Sequence, residues 1–83
     1  MKMEVGYVIE VEGREGVVVH TTVMDGKDYA LVTYEEGDNK ISYKVFEVKY
    51  EDNDFYVNEN KDEELVSDIL VEFTKEHTIL GEE

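Results

Sequence analysis

Turn signals recur at short intervals along the first 54 residues: EGREG at 12–16, DGK at 25–27, EEGDNK at 35–40 and EDND at 51–54. The runs between them are rich in β-branched and aromatic residues, which suit a pleated, half-buried surface. Connections this short join neighbouring antiparallel strands, so the chain is confined to a hairpin meander. The spacing predicts five strands, at residues 5–11, 16–24, 28–34, 41–50 and 54–57. Asp25–Gly26 is the strongest local turn signal, because Asp-Gly readily takes the positive φ angles of a two-residue hairpin.

Alternation within these strands is blurred. Strict period two puts Val17, Val19 and Val23 on one face and Val18, His20 and Met24 on the other. Likewise Ile41, Tyr43 and Val45 oppose Phe46, Val48 and Tyr50. A sheet apolar on both faces is covered twice, or it curls until one face closes on itself. The chain offers one helix. Asn60 and Glu63 have the spacing of a capping box, and Asp62, Glu63 and Glu64 suit the positive helix start. Leu65, Val66, Ile69, Leu70 and Phe73 then recur at helical spacing and define one packing stripe. The helix is expected over 61–76, followed by a tail whose Ile79 and Leu80 tuck back. The expected fold is therefore α+β and mostly β: one domain, a strongly bent five-stranded meander approaching a small barrel, with a C-terminal helix packed on it.

With 83 residues, such a domain buries only ~60–65% of its unfolded surface. There is no Cys, so neither disulfides nor a thiolate metal site supplies stability. No signal-peptide pattern opens the sequence and no apolar run is long enough to span a bilayer, which makes a cytoplasmic protein the default expectation. The charge is the outlying property: 22 acids against 8 Lys and Arg give −14. Residues 1–50 carry −4 of this and residues 51–83 carry −10. Nucleic acid and anionic membranes repel such a chain, and basic protein clefts attract it. The alternative is that the acidity serves solubility alone.

The crowd of carboxylates and amides at 51–64 fails the patterns that would give it chemistry. Read as a calcium loop from Asn58, positions 6 and 12 are Glu63 and Ile69; read from Asp52, position 5 is Tyr56. His20 and His77 stand alone in sequence, so a zinc site would need distant ligands, and a packed or solvated imidazole is the simpler reading. Neither Ser42 nor Ser67 lies in a strained nucleophile turn. EGREG has no Lys-Ser/Thr and no helix start after it, so it is not a phosphate loop. No catalytic residue, metal or cofactor is expected.

What remains is surface. At 100° per residue, Glu64, Asp68, Glu72 and Glu76 form one ridge beside the packing stripe, with members about 6 Å apart along the axis. Val71 points outward beside it with no packing reason to be apolar. Asp52, Asp54 and Glu63 complete the candidate partner-binding set. Like charges at this spacing repel, which leaves either an ordinary solvated helix face or a surface made for positive charge. Carboxylates so spaced imitate a nucleic acid backbone and could occupy the cleft of a protein that binds DNA or RNA through Lys and Arg.

The order VVVHTTVMDGKDYALVTYEEGDNKISYKVFEV, an acidic turn, then DEELVSDILVEF resembles a family of small acidic proteins found mainly in Gram-positive bacteria. The resemblance covers residues 16–74, implies a β-then-α fold and carries no chemistry or site residues. VGYVIEVEGREG departs from that pattern and looks like the opening of a small β-barrel. By size and charge alone the chain is also similar to phage inhibitors that imitate DNA, such as anti-restriction, anti-CRISPR and uracil-DNA glycosylase inhibitor proteins. The expectation is a non-enzymatic inhibitor or regulator of a basic nucleic-acid-binding host or defence factor, with no direct contact to nucleic acid or membrane. The alternative is an acidic accessory protein that binds its partner through a sheet edge or tyrosine-rich face.

Overall fold

A computed structural model describes residues 3–78. Five strands follow one another as an antiparallel meander in spatial order: β1 Val8–Val11, β2 Arg14–Met24, β3 Lys27–Glu35, β4 Ile41–Glu51 and β5 Asp54–Asn60. The helix α1, Glu63–Thr78, follows β5. Two-residue turns join β1 to β2 and β2 to β3, and both central residues of each have positive φ: Glu12 54° and Gly13 81°, then Asp25 53° and Gly26 76°. That backbone twist matches the twist of the strands it joins.

The sheet is curled, and its two faces serve two cores. On the concave face, Val18, Ala30, Val32, Phe46 and Val48 pack with Ile9 and Met3, while Val11, Tyr50, Phe55 and Val57 close the margin. Tyr7 meets Phe55 edge to face at 6.0 Å, so the first residues and the last strand approach across the mouth of the half-barrel. On the convex face, Leu31, Val45 and Tyr29 receive Ile69, with Leu65, Val66, Leu70 and Phe73 around it. The blurred alternation of the strands is thus resolved by both devices at once: one face is covered by the helix, the other curls on itself.

Four expectations are corrected. The first strand begins at Val8, not residue 5, because Gly6 (φ 96°) turns the chain and Tyr7 N–H bonds the Glu4 carbonyl. Met3 then tucks into the concave core, its N–H donated to the Tyr50 hydroxyl at 3.1 Å. The fifth strand runs to Asn60, paired with Val45, because backbone bonding to β4 continues under polar side chains at the edge. The helix cap is Asp62, not Asn60: its Oδ1 accepts the N–H of Glu64 at 3.0 Å, while Asn60 accepts the N–H of Asp62. Finally, Val18 and His20 lie on opposite faces. A bulge at Val19 sets Val18 against Val32 but His20 against Leu31, which turns Val19 and His20 together toward the helix. Among the described residues no helix is long and apolar enough to cross a membrane. Ile79 and Leu80, expected to tuck back, lie outside the described residues.

Candidate partner-binding surface

The outer face of α1 begins where β5 ends. Asp62 caps it, and Glu63 and Glu64 occupy the first turn, where unsatisfied backbone N–H groups favour negative charge. Glu63, Glu64 and Asp68 are exposed, and Val71 between the acids is half exposed at 51%. Among the described residues the ion pairs are Arg14–Glu36, His20–Glu72 and Lys44–Glu59, so none of these three acids is in one. Glu64 and Asp68 stand one turn apart and repel by a few tenths of a kcal/mol, roughly.

Glu72 does not belong to the free ridge. It turns toward the sheet, where its Oε1 lies 2.9 Å from His20 Nε2. The His20 hydrogen bond, then one from the Thr22 hydroxyl, holds the carboxyl below its ordinary range. His20 is buried, 5% exposed, and its ring leans on Phe73 at 5.9 Å. The pair ties the helix to the inner part of β2. Glu76 lies in α1, but its side chain is outside the described ones.

Asp52 and Asp54 are also set apart. They lie at the β4–β5 turn, six residues along β4 from the Val45–Asn60 pair, which is about 20 Å of strand. Asp52 takes φ 54° to make that turn and Asp54 accepts the N–H of Phe55. The structure therefore brings together Glu63, Glu64, Asp68 and Val71, and removes Glu72, Asp52 and Asp54 from their company.

Two cations of the sheet, Arg14 and Lys44, are engaged internally. Arg14 lies 2.6 Å from Glu36 and 4.8 Å over the ring of Tyr34, with Lys44 5.7 Å from the same ring. Ser42 donates to Glu36 at 2.6 Å, and this bond, with the one from Arg14, keeps the Glu36 carboxyl low. Burial pushes the Tyr34 hydroxyl up, against the opposing pull of Arg14. Two lysine or arginine side chains that could offset the acids are thus held against one aromatic ring. Among the described residues, no group of three or more His, Asp or Glu side chains is placed to hold a metal ion.

No family model, curated protein or solved structure matches this chain. Sequence reasoning missed the His20–Glu72 pair because 52 residues separate its members. The only signal was a histidine inside a run of valines and threonines.

Proposed function

We propose that this protein is a non-enzymatic inhibitor or regulator that docks the outer face of α1 in the cleft of a basic nucleic-acid-binding protein. The observation that carries this reading is the exposed set Glu63, Glu64 and Asp68, unpaired among the described ion pairs, with Val71 exposed beside them. The carboxylates stand in for phosphates and steer encounter, while Val71 supplies a short-range contact. The −14 charge extends the attraction beyond the contact patch.

The test is capture of partners from a lysate followed by competition. Captured proteins are expected to be nucleic-acid binders, released by duplex DNA or RNA and by salt raised from about 50 to about 300 mM. Partners that neither treatment releases overturn the reading. Glu63, Glu64 and Asp68 changed together to Gln should slow association, while Val71→Ala should chiefly speed dissociation. Glu4→Gln, Asp38→Asn and Glu51→Gln make an equal charge change at exposed sites away from α1 and should leave most binding intact. Equal loss in both triple variants would assign the effect to total charge.

A further inference from the structure

α1 covers only part of the convex face. Two residues along the strands from Leu31 and Val45, about 7 Å away, the same face carries the cross-strand row Val8–Val17–Thr33–Tyr43. Its apolar members are open: Val8 56%, Val17 42% and Tyr43 52% exposed, with Ile41 60% exposed just beyond. Elsewhere on this face Asn58 on β5 and Lys27 on β3 are polar and exposed, and Tyr56 on β5 is a single open aromatic rather than part of a row. Solubility alone would favour the same here.

Two residues further along each strand the row changes character. Glu10 and Glu15 pair directly across β1 and β2, and Glu35 pairs with Ile41 across β3 and β4. Like charges placed opposite one another oppose pairing of the strands, so this row costs stability rather than adding it. Arg14, next to Glu15 on β2, faces the other side and is held by Glu36 and Tyr34. A shallow groove of about 380 Å³ runs between the two rows, bordered by Val8, Val17, Thr33, Glu15, Glu35 and Ile41.

We propose that this face is a second docking surface, for a cationic amphipathic helix of a partner protein lying beside α1. The apolar row crosses four strands, about 14 Å, which two to three helical turns span. Helices packed side by side lie 8–10 Å apart, close to the offset of this row from the residues under α1. Apolar side chains of the incoming helix would fill the row, and Lys or Arg one turn away would meet Glu10, Glu15 and Glu35. Charge selects among occupants. A second copy brings another −14 to a face already lined with glutamates, and ILGEE at 79–83 brings acids rather than cations.

The probe is a synthetic Leu/Lys peptide of about 14 residues with one apolar stripe, compared with a scrambled peptide of the same composition. Amide shifts in the full chain are expected at Val8, Val17, Thr33 and Tyr43 with the patterned peptide only. Val17→Thr with Tyr43→Ser should weaken binding at least about tenfold, while the amide spectrum of the free variant stays that of the folded sheet. Glu10→Gln with Glu15→Gln should weaken it and flatten its salt dependence. Glu63, Glu64 and Asp68 changed to Gln should not alter it, which separates this surface from the helix face. Equal binding of the scrambled peptide, shifts confined to α1, or no binding overturns the proposal. So does concentration-dependent dimerisation abolished by Tyr43→Ser, which would assign the face to a second copy.

Discussion

His20 is the residue on which sheet and helix meet. His20→Ala would remove a buried ring from Phe73 and leave Glu72 with Thr22 as its remaining hydrogen-bond partner, at a cost of about 2–3 kcal/mol in urea unfolding. The pair itself is worth less. Glu72 is 40% exposed, so solvent screens it, and a double-mutant cycle of His20→Gln with Glu72→Gln should give a coupling of only ~0.5–1 kcal/mol. The His20 hydrogen bond holds the folded Glu72 carboxyl below the ordinary carboxylate value of 4.5, so its contribution is complete above that pH and is lost as pH falls through the lower folded value. The stability gap between wild type and Glu72→Gln should therefore close in acid. A gap that stays constant below pH 4.5 would show that Glu72 acts through packing alone. Gly16 is constrained for a different reason. A Cβ there would stand 2.5 Å from Val32 Cγ1 and 2.8 Å from Tyr34 Cε1, both in the concave core. Gly16→Ala should cost about 1–3 kcal/mol, read as a lowered urea midpoint.

Among the elements, α1 and β5 share a boundary that side chains set and the sheet overrides. Asn60 satisfies the spacing of a capping box, yet its backbone is still paired to β4 at Val45, so the helix starts later and Asp62 takes the cap. Asp62→Ala should cost ~1 kcal/mol and reduce helical circular dichroism on mild heating. Asn60→Ala should cost less, since the strand pairing is backbone and only the bond to the Asp62 N–H is lost. The reverse order would return the capping role to Asn60. The bulge in β2 has the same character. It is an inserted Val19 that no local rule marks, and it moves His20 from the concave face to the helix.

For the whole molecule, charge and curvature act against each other. Each of the two cores on the one sheet is small, and −14 on an 83-residue body repels itself. The melting temperature should rise as inert salt goes from about 10 to about 150 mM, where the screening length falls from ~30 to ~8 Å. A flat or falling profile in differential scanning fluorimetry would mean that the acids are locally compensated, and steering of a basic partner would lose its physical basis.

The meander, the Asp25–Gly26 hairpin, the packing stripe of α1 and the two-faced apolarity of β2 and β4 were legible in the sequence, because each depends on neighbours a few residues apart. Of the ridge Glu64, Asp68, Glu72 and Glu76 that helical spacing sets out, the exposure of Glu64 and Asp68 was legible too, since it follows once the stripe is known. The tertiary structure alone decided what depends on register between distant strands. It withdrew Glu72 to a histidine 52 positions earlier, and it carried Asp52 and Asp54 to the far turn of β4 and β5. It also aligned Val8, Val17, Thr33 and Tyr43 into one row. Those four residues come from four strands, and only hydrogen-bonded pairing, shifted by one bulge, sets them side by side beyond the reach of a single helix.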